Sequence, residues 1–147
     1  NCSRWLCLSQ IQWFRYFYGI MHFFAKIKNN IVENVLVAEQ DFIDTLPKEE
    51  GVIYVETFMY LYGGKLHDEY HNEIGTHSQM NSATVGGTYL ADKDIFIPPK
   101  NYPSHVLNTE DYDWDAPIPY PDDGEEYYWD ESVYNSDNSK GWVLLEE

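Results

Sequence analysis

The sequence has few basic residues and almost no cysteine. Its 147 residues contain nine Lys and Arg against 25 Asp and Glu, a formal net charge of −16. Both cysteines, Cys2 and Cys7, lie near the start; if the native protein begins at Met21, it has no cysteine, disulfide bonds contribute nothing, and the redox compartment cannot be inferred from them. Because nucleic acid and anionic membranes are also negatively charged, we expect neither as a partner. Basic protein surfaces or cations fit this charge better, although the charge equally serves to keep an aromatic-rich chain soluble.

The sequence also lacks the short motifs of common enzymes. It has no Gly-x-Ser-x-Gly elbow, no phosphate-binding loop and no cysteine nucleophile beyond residue 7. Paired carboxylates could serve glycoside hydrolysis, but acids on short turns would be exposed, and their pKa values would not be tuned for that chemistry. We therefore expect no enzymatic activity and no cofactor.

Residues 1–20 differ in composition from the rest of the chain. They contain no acidic residue and hold both arginines, Arg4 and Arg15. Because Arg15 and aromatic residues interrupt any apolar core, the segment fits neither a signal peptide nor a membrane span. We interpret Met21 as the start of the native protein and residues 1–20 as an upstream extension; an amphipathic helix is the alternative.

Residues 21–62 predict an N-terminal hairpin and an aromatic segment. Lys28-Asn29-Asn30 suits a tight turn between two strands, because Asn tolerates positive φ. A short helix is expected from Gln40 to Leu46, ending before Pro47, since a residue that precedes proline avoids the α region. Periodicity leaves 51–62 open as a strand or a short helix.

Residues 63–87 are the most polar and least patterned part of the chain, with three His and five Gly. This composition predicts a mobile polar loop. His67 and His71 would share a face if the segment were helical and could then ligate zinc, but the flanking glycines favour solvated loop histidines.

Residues 88–147 contain a repeat. A shift of 18 positions aligns two copies, and a looser third copy runs from Trp129 to Trp142 with a longer turn. Each copy has a large apolar residue, an acidic turn and a second large aromatic residue, followed in the first two copies by a proline-rich exit. The pattern predicts three short hairpins with extended connectors. The aligned pairs are Tyr89 with Leu107, Phe96 with Trp114, Pro99 with Pro117, Tyr102 with Tyr120 and Pro103 with Pro121. The fold class is therefore expected to be mainly β, built from successive short antiparallel hairpins with Pro-rich connectors and little helix.

Four segments together resemble a largely uncharacterised family of small proteins encoded by marine bacteriophages, chiefly cyanophages. They are FIPPKNYPSHVLN (96–108), DWDAPIPYPDDG (113–124), YYWDE (127–131) and WVLLEE (142–147). The resemblance covers nearly all of 21–147, although relatives commonly have Pro-Phe at Asn101-Tyr102 and Trp at His105. It implies a phage virion component, such as a tail, fibre or capsid accessory protein, that is assembled in the host cytoplasm. It implies no catalytic residues.

Aromatic residues of the repeat are the candidate contact sites: Tyr102, His105, Trp114, Tyr120, Trp129 and Trp142. Such side chains either form the core of small hairpins or stand exposed as platforms. Other virion proteins are the expected partners, and a host surface glycan is the alternative. Asp111, Asp113 and Asp115 alternate and could bind calcium weakly, but they lack a complete binding loop, and a solvated acidic face is the favoured interpretation.

Overall fold

A computed structural model of the chain describes residues 22–146. The expected extension at 1–20 and the expected start at Met21 lie outside the described residues. Over that range the chain is mainly β, built from short antiparallel hairpins with two six-residue helices, which confirms the predicted fold class. In chain order the elements are β1 (Phe23–Lys28), β2 (Ile31–Val37), α1 (Gln40–Thr45), β3 (Val52–Thr57), β4 (Leu61–Tyr62), β5 (Lys65–His67), β6 (Glu73–Thr76), β7 (Thr88–Leu90), β8 (Ile95–Ile97), β9 (Val106–Asn108), β10 (Asp113–Asp115), β11 (Tyr127–Trp129), α2 (Glu131–Ser136) and β12 (Trp142–Leu144).

A five-stranded sheet in the order β3-β1-β2-β7-β8 contains the main core. Its first turn is the one predicted, with φ of 50° at Asn29 and 68° at Asn30. α1 ends at Thr45, two residues before Pro47, also as predicted. Residues 52–57, left open between strand and helix, form β3 at an edge of the sheet. The buried cluster between these strands consists of Ala25, Ile27, Val32, Tyr89 and Phe96.

Tyr89 combines core packing with a polar contact. Its ring lies 4.8 Å from that of Phe96, and its hydroxyl donates to Asp94 Oδ1 at 2.7 Å. Burial, and then the hydrogen bond to the Asp94 carboxylate, raise the pKa of Tyr89 to about 12. The phenol therefore stays neutral inside the sheet.

The prediction of a loop over residues 63–87 is wrong. The segment contains β5 and β6, which pair with β4 in a three-stranded sheet. Gly63 and Gly64 form the turn between β4 and β5, and both have positive φ. Part of the polar composition has a different cause from the one inferred: Gln79, Asn81 and Ser82 form hydrogen bonds with backbone groups of other elements, whereas Lys65 and Glu73 form an exposed ion pair.

Residues 79–83 join the two larger sheets. The Asn81 amide nitrogen donates to the backbone oxygens of Phe96, Asp111 and Tyr112, and its oxygen accepts from Gly63 N. Three further contacts complete this seam: Gln79 Nε2 to Glu56 O, Ser82 Oγ with the backbone of Leu61, and Ala83 N to Thr57 Oγ1. Asn81 is only 5% exposed, so a polar residue of the type common in loops is part of the interior here.

The three repeat copies form three antiparallel hairpins, β7-β8, β9-β10 and β11-β12, here called hairpins 1, 2 and 3. The two large residues of each copy face each other across the strands: Tyr89 with Phe96, Leu107 with Trp114, and Trp129 with Trp142. The longer turn of hairpin 3 contains α2, whose N-cap Asp130 accepts from Ser132 N and Val133 N.

Candidate functional site

Five of the six predicted contact residues meet in one place. Ring centroids are 4.8 Å apart for Tyr102 and His105, 5.4 Å for His105 and Trp129, 5.2 Å for Trp129 and Trp142, and 5.0 Å for Trp142 and Tyr120. Edge-on and tilted contacts of this kind stabilise beyond the area that they bury. We call this set the hairpin-3 cluster: Tyr102, His105, Tyr120, Trp129 and Trp142, with Tyr127 and Tyr134 at its margin.

Two connectors and one hairpin build the hairpin-3 cluster. The cross-strand pair of β11 and β12 places Trp129 beside Trp142. The segment after hairpin 1 supplies Tyr102 and His105, and the segment after hairpin 2 supplies Tyr120. Trp129 is 5% exposed and forms the centre, whereas Tyr120 is 51% exposed at the rim. Both interpretations of the aromatics therefore hold for different members, core for Trp129 and exposed for Tyr120.

Glu131 connects the cluster to the first connector. Its carboxylate accepts from Trp129 Nε1 at 2.9 Å, from Ser104 N at 3.0 Å and from Ser104 Oγ at 2.7 Å. These bonds, from Trp129 first and then from Ser104, lower the pKa of Glu131. The ring of His105 lies beside them, and its buried Nε2 has no hydrogen-bond partner among residues 22–146.

Trp114 is not part of the hairpin-3 cluster. Its indole Nε1 donates to Pro98 O at 2.8 Å, and Lys100 Nζ lies 5.1 Å from its ring centroid. Trp142 repeats this arrangement one hairpin later, since its Nε1 donates to Ile118 O at 2.8 Å. Each of these two hairpins is thus fixed by an indole to the proline-rich exit of the preceding hairpin.

Hairpin 3 has an outer face opposite the two tryptophans. Because side chains alternate along a strand, Tyr128 and Val143 lie on the face away from Trp129 and Trp142. Leu145 continues that face beyond β12, where its N–H donates to Glu126 O. Tyr128 is 46% exposed and Leu145 is 54% exposed, so an apolar strip with acidic neighbours faces the solvent.

The three alternating aspartates serve hairpin 2. Asp111 Oδ1 accepts from Asp113 N, Asp113 Oδ1 from Trp114 N, and Asp115 Oδ2 from Asn108 Nδ2. No group of three or more His, Cys, Asp or Glu within residues 22–146 could hold a metal ion. Local hydrogen bonds, to backbone N–H groups for Asp111 and Asp113 and to the Asn108 side chain for Asp115, are therefore the observed role of these carboxylates.

The histidines of residues 63–87 do not lie on a helix. His67 ends β5 and stacks on Tyr62 with 3.9 Å between ring centroids. His71 lies in the following turn with φ of 64° and contacts the ring of Tyr60 at 5.9 Å. The alternative in which His67 and His71 share one face of a helix and bind zinc is therefore wrong.

A cleft of about 490 Å³ lies between the five-stranded sheet and the β5-β6 hairpin. One wall comes from the start of β1 and the end of β3, and the other from β5, the loop after it and β6. The lining residues are His22, Phe23, Glu56, Thr57, Phe58, Met59, Tyr60, Leu66, His67, Asp68, Glu69, Tyr70 and Ile74. Its volume lies within the range of small-molecule clefts, and both apolar and polar groups line it.

Two polar contacts order the cleft walls. His22 Nδ1 lies 2.7 Å from Glu56 Oε1, and this hydrogen bond is the main cause of a raised His22 pKa. On the opposite wall, Asp68 Oδ1 accepts from Tyr70 N and Asn72 N, which closes the turn between β5 and β6. Each wall is therefore ordered by hydrogen bonds within that wall, which leaves the space between the walls open.

Sequence reasoning did not find the cleft, because its walls come from residues far apart in the chain. The sequence offered one signal, a dense set of aromatic residues at Phe58, Tyr60, Tyr62 and Tyr70. A short strand and turn would not require so many aromatic side chains. No helix among the described residues is long and apolar enough to cross a membrane. Comparisons with protein-family models, curated proteins and solved structures find no match to the chain.

Proposed function

We propose that the protein works by docking onto other proteins, as a structural or accessory component of a phage virion. The observation that carries this proposal is the outer face of hairpin 3. It presents Tyr128 and Leu145 to solvent on a hairpin whose opposite face is fixed by Trp129 and Trp142. Exposed apolar strips with polar rims are typical of protein interaction sites.

Several features support a preformed docking surface. Tyr120 and Tyr127 order the turn before β11, since Tyr120 Oη accepts from Tyr127 N and Tyr127 Oη donates to Asp123 Oδ2. A surface that is ordered before binding loses less conformational entropy in the complex. Acidic neighbours, such as Glu126, favour a partner with a basic rim. The phage assignment itself comes from the sequence resemblance.

The test measures incorporation into particles. Peptide mass spectrometry on purified particles of the phage that encodes the chain should detect residues 22–146 at a stoichiometric level. Tyr128→Ser should lower that level at least about tenfold if the ring is a central contact. Val106→Ser is the matched control, because Val106 is 62% exposed but lies on hairpin 2. Presence in infected cells together with absence from particles would contradict the proposal.

Glycan binding for host recognition is the second candidate. The observation that favours it is Tyr120, a half-exposed ring held edge-on by Tyr127 and Trp142, beside the carboxylates of Asp122 and Asp123. A sugar stacked on Tyr120 should quench the fluorescence of Trp142, and Tyr120→Ala should abolish the effect. Unchanged fluorescence across a panel of host surface sugars would exclude this candidate.

A further inference from the structure

The cleft between β3 and the β5-β6 hairpin has an unbalanced set of charges. Its lining holds three carboxylates and two histidines, His22 and His67, and neither Lys nor Arg. Glu56 is hydrogen bonded to His22, and Asp68 closes its own turn. Glu69, which is half-buried, makes no hydrogen bond or ion pair with any described residue. One carboxylate of the lining therefore remains available to a ligand.

The most exposed apolar groups of the lining lie at its rim, and Phe23, Phe58 and Leu66 are half-buried. Met59 on one wall is 39% exposed, and Tyr70 and Ile74 on the other are 57% and 66% exposed. Two of the lining residues, Tyr60 and Met59, lie in the turn after β3, where Tyr60 adopts φ of 56°. Left-handed backbone is uncommon for a large aromatic residue and is often found at binding sites.

Aromatic rings and a carboxylate together recognise a particular class of group. The face of a tyrosine ring attracts cations, and a partly buried carboxylate forms charge-assisted hydrogen bonds with an ammonium or guanidinium group. We propose that the cleft binds an ammonium or guanidinium group carried on an apolar stem. The charged end lies at Glu69, and the stem packs between Met59 and the Tyr70 ring.

Charge and size disfavour other ligand classes. An anionic ligand would meet three carboxylates, and the net charge of −16 adds to that repulsion. A cleft of about 490 Å³ is much larger than a metal ion needs, and no metal-ligand group occurs among the described residues. This proposal is independent of the docking face, because no residue of hairpin 3 lines the cleft.

The experiment titrates the full chain, labelled with ¹⁵N, with four small probes. Nα-acetyl-lysine amide and Nα-acetyl-arginine amide represent a basic side chain of another protein, and n-butylammonium represents a free small cation. Nα-acetyl-norleucine amide, which lacks the charge, is the control probe. The cations should shift the amide resonances of Met59, Glu69 and Tyr70, and the control probe should bind at least about threefold more weakly. The tighter of the two cation types identifies the source of the ligand.

Two variants test whether the Glu69 carboxylate is the group that binds the cations. Glu69→Gln should weaken binding of the cations about three- to tenfold. Glu110→Gln, on the turn of hairpin 2, removes the same charge away from the cleft and should leave binding unchanged. The proposal is overturned by equal binding of the norleucine probe, by equal loss in both variants, by shifts with neutral sugars alone, or by no shifts with any cation.

Discussion

At the scale of single residues, the absent side chain of Gly141 permits the closest packing in hairpin 3. A β-carbon at Gly141 would lie 2.3 Å from two ring carbons of Trp129, closer than van der Waals contact allows. The ring cannot move away easily, because it is 5% exposed and contacts His105, Tyr134 and Trp142. Glycine is required here by contact with the indole and not by a positive φ.

Gly141→Ala should therefore destabilise the protein by about 1–3 kcal/mol, the usual cost of overpacking a core. Urea unfolding followed by tryptophan fluorescence measures the change. Gly75→Ala on β6 is the control, since a β-carbon there would meet only Leu66 Cδ1 at 4.0 Å. Its effect should stay within about 0.5 kcal/mol. Equal losses in the two variants would show that the Trp129 contact is not the cause.

At the scale of secondary-structure elements, polar contacts hold α2. The helix has six residues and none of them is buried, so packing alone does not stabilise it. Asp130 caps its first turn, and Glu131 joins it to Trp129 and Ser104. Hydrogen bonds from the Ser132 hydroxyl and then from Val133 N lower the pKa of Asp130, and those from Trp129 and Ser104 lower the pKa of Glu131. A carboxyl whose pKa is lower in the folded than in the unfolded state stabilises the fold at pH values above its unfolded-state pKa. That contribution is lost as the pH falls through its folded-state pKa.

Glu131→Gln should therefore reduce stability at neutral pH and make it decline less steeply below about pH 4.5, the ordinary pKa of Glu. The slope should be reduced and not abolished, because Asp123, Asp130 and Asp137 also have lowered pKa values. Urea unfolding at a series of acidic pH values measures it. The Glu110 side chain makes no hydrogen bond with any residue of 22–146, so Glu110→Gln should keep the wild-type slope. A Glu131→Gln profile parallel to wild type would contradict the assigned role.

The same elements show which features the sequence could predict. The facing pairs of hairpins 1 and 2 follow from the repeat, because a cross-strand pair such as Tyr89 and Phe96 is fixed by a short turn. The structure of residues 63–87 does not follow from their composition. The polar residue Asn81, for example, forms hydrogen bonds with the backbone oxygens of Phe96 and Asp111, which are distant in the chain, and composition does not reveal such partners. Likewise, the repeat predicts Trp114 and Trp142 as equivalent, and it does not reveal that only Trp142 has Tyr120 and Trp129 as neighbours.

At the scale of the whole molecule, the chain has two centres of packing. One is the buried cluster of the five-stranded sheet around Phe96, and the other is the hairpin-3 cluster around Trp129. The Asn81 side-chain amide forms hydrogen bonds with backbone atoms of hairpin 1, of the turn of hairpin 2 and of the β4-β5 turn. Among the described residues it forms none with hairpin 3. Asn81 therefore couples the first centre to its surroundings, whereas the second is held by its own aromatic contacts and by the hydrogen bonds of Glu131 and Trp142.

Asn81→Ala should destabilise the region around the first centre by about 2–4 kcal/mol, because it leaves several buried backbone groups without partners at about 1–3 kcal/mol each. Hydrogen exchange of backbone amides distinguishes a local from a global effect. Exchange should accelerate at Gly63, Ser82 and Phe96, whereas the amides of β11 and β12 should keep most of their protection. Asn34→Ala is the control, since the Asn34 side chain is exposed and its one hydrogen bond within residues 22–146 is to Val35 N, the next residue of β2. Equal acceleration in hairpin 3 would instead mean that the two centres unfold together, and the hairpin-3 cluster would then depend on the five-stranded sheet for its stability.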